Sequence, residues 1–187
     1  MKNRPSRECI HLLGHSQRGF TLLELMITIT VLGILLGLAV PSFREAIQNN
    51  RIVSQNNEFI TALNYARSEA IRRSDTVSVC SSANGTSCST TTNWSTGWIT
   101  FVDPNGDGNL NGAEVVMQRG PPAMPNITVN SPAAGGSLTN VRFSGNGMLS
   151  STAGNFTLLK TGCTGLTARQ IAVSVTGRVS TIKVACP

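Results

Sequence analysis

From Phe20 to Val40 the chain is apolar at nearly every position, and Glu24 is the single charge in that run. A helix over this stretch, at ~1.5 Å per residue, spans roughly 30 Å, the thickness of a hydrocarbon core. From Pro41 to about Ser74 the pattern changes. Ile52, Phe59, Ile60, Leu63, Ala66 and Ala70 recur near a period of 3.6, while Arg51, Glu58, Arg67 and Glu69 fall elsewhere. That spacing predicts an amphipathic helix lying on a core. Beyond Asp75 the period drops to two. TVSVCS, GWITFVD, EVVMQR, NITVN, NVRFS, NFTLLK, ARQIAVSVT and RVSTIKVAC each predict a strand. Asn-Gly, Gly-Gly, Gly-Asn-Gly and Pro-Pro punctuation predicts turns between them, and SSANGTSCSTTTNWSTG and NSPAAGGSLTN predict surface loops. One long helix followed by a run of strands predicts an α+β domain, divided as 1–19 leader, 20–41 apolar helix, 42–75 amphipathic helix and 76–187 β-rich domain.

Composition fits this division. The 187 residues suffice for one domain with a core plus an appendage. Charge is sparse, at 13% Asp, Glu, Lys and Arg, with a net +6. The leader carries Lys2, Arg4, Arg7 and Arg18 against Glu8. By the positive-inside tendency it stays cytoplasmic and the bulk of the chain goes to the other side of the membrane. After Glu114 there are six basic residues and no acidic side chain. Such a one-signed half suits an anionic partner, although a sparsely charged β surface explains it equally well. Of five cysteines, Cys9 lies in the leader and Cys80, Cys88, Cys163 and Cys186 beyond it. In an exported chain four cysteines suggest two disulfides in one of three connectivities. Cys80–Cys88 and Cys163–Cys186 are the most local.

Glu24 separates the explanations for the apolar run. A cleaved secretory signal is shorter and ends in small residues, whereas a single-span anchor leaves a carboxylate in lipid at a cost of about 2.5–3.5 kcal/mol. No Lys or Arg lies within the span. Cleavage after Gly19 would create an amine at Phe20 to neutralise Glu24, in the same chain or in a neighbouring one. The stretch RGFTLLELMITITVLGILLGLAVP resembles the class III signal of type IV pilins and pseudopilins. The resemblance implies cutting by a prepilin peptidase between Gly19 and Phe20, N-methylation of Phe20, and a docking role for Glu24. Pro41 matches the proline found 22 residues into mature pilins. Gly33 and Gly37 add a small-xxx-small face of the kind that lets helices approach closely. The segments YARSEAIRRSDTVSVC, WITFVDPNGDGNLNGAEVV, VRFSGNG and GRVS are similar to the FimT/FimU and GspH-type minor pilins. That likeness implies a pilin-like fold, with a long N-terminal helix, transmembrane in its first half, packed on an antiparallel β-sheet domain. It further implies a single pass through the bacterial inner membrane, a periplasmic C-terminal domain, and later residence in a pilus or pseudopilus beside other major and minor pilins.

Three chemistries compete for the rest. DPNGDGNLNGAE matches a calcium-loop pattern, with Asp103, Asn105, Asp107 and Glu114 as candidate ligands, although Asn, Gly and Asp also suit a turn between strands. Some FimT-type pilins bind DNA through a C-terminal Gly-Arg-x-Arg motif. Here Gly177 and Arg178 match, and Ser180 stands where the second arginine would be. Arg178, Lys183 and Arg169 are the candidate phosphate contacts, but Arg178 and Lys183 have opposite parity along a strand. Catalysis is not expected. Both histidines, His11 and His15, lie in the leader, and no G-x-S-x-G, P-loop or H-E-x-x-H motif occurs. The expectation is a non-enzymatic minor type IV pilin contributing to pilus assembly or priming, its tip included. The alternatives are a DNA-uptake pilin and a GspH-like pseudopilin of type II secretion.

Overall fold

The computed structural model describes residues 19–132 and 138–187. The leader with Cys9, His11 and His15 lies outside these residues, as does part of the loop expected at 130–140. The chain divides into two compact units, 1–43 and 44–187. A single helix, α1 (Leu22–Arg73), supplies residues to both, and its backbone runs through Pro41.

In the first unit Thr21 precedes the helix, and its Oγ1 accepts a hydrogen bond from the Glu24 amide at 3.2 Å. Thr-x-x-Glu is a capping-box sequence, and Glu24 also places negative charge in the first turn, where the helix dipole favours it. The apolar side chains from Phe20 to Leu38 are all exposed. Thr28 and Thr30 donate their hydroxyls back to the carbonyls of Leu25 and Met26, so neither leaves a polar hydrogen free on the apolar surface.

The second unit buries what the first exposes. On α1, Ile52, Phe59, Ala62, Leu63, Ala66 and Ala70 line one face and are inaccessible to solvent. Ile60 is only partly buried and packs at the margin. Eight strands follow: β1 (Val77–Ser81), β2 (Trp98–Val102), β3 (Val116–Gly120), β4 (Ile127–Asn130), β5 (Asn140–Phe143), β6 (Gly154–Lys160), β7 (Ala168–Val173) and β8 (Val179–Val184). They form two antiparallel four-stranded sheets, ordered β3-β2-β1-β5 (sheet A) and β4-β6-β7-β8 (sheet B). Val77 and Val79 of sheet A, and Phe156, Leu158 and Ile171 of sheet B, share one core with the helix face. At its centre Phe59, Trp94 and Phe156 meet edge to face, with ring centroids 4.8–5.5 Å apart. Trp94 Nε1 donates to the Leu138 carbonyl at 2.9 Å, which satisfies its polar atom in the interior. Two polar residues interrupt the helix face. Gln55 Oε1 accepts from the Met124 amide and Asn56 Oδ1 accepts from the Thr181 hydroxyl, both at 2.9 Å.

Every residue of β1 is buried, because sheet A is covered on both faces. Its second face carries Cys80, Ile99 and Phe101, packed against Cys88, Leu110 and Val116. Cys80 is bonded to Cys88, and Cys163 to Cys186.

At the C-terminal end of α1, Glu69 accepts hydrogen bonds from Arg72 and Arg73 at 2.6–3.0 Å. These guanidinium groups hold the carboxyl down from its ordinary value near 4.5 to about 2. A depressed carboxyl stabilises the fold above its unfolded pKa. This contribution should therefore be complete above about pH 4.5 and disappear as pH falls toward 2. A carboxyl-detected NMR titration should place the Glu69 midpoint well below those of exposed glutamates, and an ordinary midpoint would show that the two arginines do not hold it. Truncation of the central ring, Phe59→Ala, should cost about 3–5 kcal/mol in chemical denaturation of the full chain in detergent.

Candidate functional site

Gly19 and Phe20 are exposed and precede the helix. A Cβ built on Gly19, Gly33 or Gly37 meets nothing within 4 Å. The glycine face of the apolar helix is thus open, and exposed apolar surface on this scale exceeds what an isolated soluble protein tolerates. An 18-residue window of α1 has a mean hydropathy of 2.4 with none of its residues buried, which meets the length and composition needed to cross a membrane.

In the loop from Asp103 to Glu114 the carboxylates take up hydrogen bonds from nearby donors. Asp103 is fully buried. Its Oδ2 accepts from the Ser78 hydroxyl and from the Gly108 amide. Asp107 accepts from Asn105, Asn109 and Asn111, and Glu114 from the Asn111 amide. Arg142, which faces Ser78 across the β1–β5 register, donates to the Gly106 carbonyl and so sets a cation against the loop. Among the described residues no three Asp, Glu, His or Cys side chains converge as metal ligands. Asp103 Oδ2, Asp107 and Glu114 thus accept from Ser78 and from the loop's own amides, Asp103 Oδ1 is buried without a hydrogen-bond partner, and an arginine lies on the loop's flank. The loop also places Leu110 over Phe101 and Ile99, covering the outer face of sheet A.

The candidate phosphate-binding residues separate into two places. Arg169 and Lys183 are cross-strand partners in β7 and β8. They share the helix-facing side of sheet B with Ile171, and with Thr181, which bonds Asn56. Arg178 sits in the β7–β8 turn, about 16 Å from Lys183 at the rise of an extended strand, so the three do not make one patch. What the Gly-Arg pair does in this fold is visible at Gly177. Arg67 of α1 donates through Nε to the Gly147 carbonyl at 2.8 Å and through Nη2 to the Thr176 carbonyl at 3.2 Å. Gly177 has a positive φ of 73°, and a Cβ there would lie 2.1 Å from the Gly147 oxygen. The helix thereby clamps the loop after β5 of sheet A and the turn before β8 of sheet B.

Sheet B also contains a basic residue that the sequence reading did not single out. Lys160 is buried, with Nζ 2.9 Å from Asn49 Oδ1 and 3.9 Å from Glu45 of α1. Its parity with Phe156 and Leu158 on β6 was the available signal.

A family model described as type II transport protein GspH matches residues 55–177. One described as the prokaryotic N-terminal methylation motif matches residues 14–40. No match is found among curated proteins. Two crystal structures of the type IV minor pilin FimU from Pseudomonas aeruginosa (strain PAO1), in different crystal forms, are similar in fold. One has a TM-score of 0.57 at 20% identity, covering 71% of this chain and 89% of FimU. The other has a TM-score of 0.53 at 22% identity, covering 69% and 90%.

The clamp separates glycine from arginine in the 177–178 pair. Gly177→Ala should lower Tm markedly, because a Cβ would overlap the Gly147 oxygen and strain the positive-φ backbone. Arg178→Ala should leave Tm unchanged, since Arg178 is exposed. Thermal denaturation of both variants checks this, and equal effects would contradict the clamp.

Proposed function

Because the chain belongs to the GspH family of type II transport proteins and carries the N-terminal methylation motif, we propose that it is a minor pilin of a type IV pilus, a non-enzymatic structural subunit. A prepilin peptidase cuts between Gly19 and Phe20, Phe20 is methylated, and residues 20–41 hold the chain in the inner membrane until the subunit joins the filament. There it contributes to assembly or priming alongside other pilins, with the β-rich domain on the periplasmic side. The observation that carries this reading is the contrast between the two units. One exposes an apolar helix with an open glycine face, while the other has its own closed core. A helix of the first kind needs lipid at one stage and neighbouring helices at another, and filament assembly supplies both.

Glu24 has a role at each stage. Its own amide is capped by Thr21, and it follows the new amine at Phe20 by four residues. The match to the GspH model favours, as a second reading, a pseudopilus subunit of type II secretion, which uses the same processing and the same docking. DNA capture receives less support, since Arg178 stands apart from Arg169 and Lys183.

The reading is tested on the full chain in cells with a working peptidase. Intact-mass measurement should find Phe20 methylated at the N-terminus. Gly19→Leu should leave the precursor uncut. Glu24→Ala should be cut normally but incorporated poorly into sheared filaments. An unprocessed N-terminus in the wild type would refute the proposal.

A further inference from the structure

We propose that Arg169 and Lys183, which line a cleft with Asn49 beside the buried Lys160 at one end of sheet B, form a site for the anionic headgroups of phospholipids.

The three cations come from adjacent strands. Lys160 ends β6, and Arg169 and Lys183 stand opposite each other on β7 and β8. Lys160 bonds Asn49, and Asn49 lines a cleft of about 200 Å³ together with Arg169 and Lys183. Like charges directly opposite each other in a sheet are destabilising, so the Arg169–Lys183 pair costs stability unless an anion lies between or beside them. The protein supplies little compensation. The one carboxylate near the group is Glu45, largely exposed and 3.9 Å from Lys160. Arg169 and Lys183 have no ion pair among the described residues, and no acidic side chain follows Glu114.

Two further features select a lipid surface as the source of the anion. The same cleft is lined by Leu166 and Val53, both exposed apolar side chains. Cations beside exposed apolar groups are the pattern of surfaces that sit at a headgroup layer. Asn49 also follows Val40, the end of the apolar run, by only nine residues. A cation brought to the headgroup layer gains about 1 kcal/mol from anionic lipid, which is roughly fivefold per charge. The site would hold the unassembled subunit's folded domain against the membrane and release it when neighbouring subunits replace lipid. This inference rests on the membrane-anchored reading above.

The full chain is placed in phosphatidylcholine nanodiscs containing a minority of phosphatidylglycerol, and the lipids it retains are counted by native mass spectrometry. The wild type should retain phosphatidylglycerol in preference to phosphatidylcholine. That preference should fall about fivefold in Arg169→Gln or Lys183→Gln, fall further in the double variant, and weaken with added salt. Lys160 is left in place because it bonds the helix. Equal retention of the two lipids by wild type, or an enrichment unchanged in the double variant, overturns the proposal. Displacement of the lipid by inorganic phosphate alone would make this a free-phosphate site, and displacement by duplex DNA a nucleic-acid site. Either result also overturns the proposal. A chain that fails to enter the disc refutes the membrane reading itself, and this inference with it.

Discussion

Burial of one helix face, from Ile52 to Ala70, is the interaction on which the folded unit depends. Among the described residues no strand of sheet A is a hydrogen-bonded neighbour of a strand of sheet B. Each sheet would present an apolar face to water if the helix were absent. Each large apolar side chain that becomes fully buried contributes about 1.5–3 kcal/mol, and the Phe59–Trp94–Phe156 contacts add the preference of rings for edge-to-face packing. The polar positions on that face extend the same function. Gln55 and Asn56 tie α1 to the segment before β4 and to β8, and Arg67 ties it to loops from both sheets. A single helix thus supplies the core and the polar fastening that joins the sheets.

The chain uses helical structure under two opposite solvent conditions. From Leu22 to Leu38 the helix hides its polar atoms by capping and back-bonding and leaves its apolar side chains exposed. From Ile52 onward it exposes charged residues and hides apolar ones. An apolar helix without a partner favours lipid, where backbone groups must be satisfied internally. Open glycines then allow close helix contact once lipid is replaced by protein. The carboxylate of Glu24 is tolerable at the helix start because a first turn favours negative charge, which requires no neighbouring subunit. Pairing with a processed N-terminus would add to that local stabilisation.

Much of this was legible along the chain because it depends on local period. All eight predicted strand segments form strands, the face from Ile52 to Ala70 is buried at helical spacing, and the pilin resemblance agrees with the family and fold matches. What was hidden depends on pairing between distant segments. β5 joins β1, and β4 joins β6, so membership of two sheets cannot be read from strand order. Burial of β1 on both faces follows from Leu110 and Cys88 folding over it. The surroundings of the calcium-like pattern were hidden for the same reason. Its spacing is local, but Ser78 and Arg142, which determine what Asp103 and Gly106 do, arrive from other strands. By contrast, the Thr21–Glu24 capping box is purely local and was available in the sequence.

The positive excess of the C-terminal half acquires a physical reading once the strands are in register. A solvated basic surface would scatter its charges outward, and Arg178 behaves that way at its turn. Lys160 is buried and Arg169 half-buried, with the exposed Lys183 opposite it. Parity places them on the side of sheet B that packs against the helix, where Phe156, Leu158 and Ile171 are buried a few residues away. A cation at the margin of an apolar core loses part of its hydration, and a second cation opposite raises the cost further. Asn49 offsets this for Lys160 alone. Such an arrangement is costly as a fold stabiliser, whereas it is the expected form of a site whose anion comes from outside the chain.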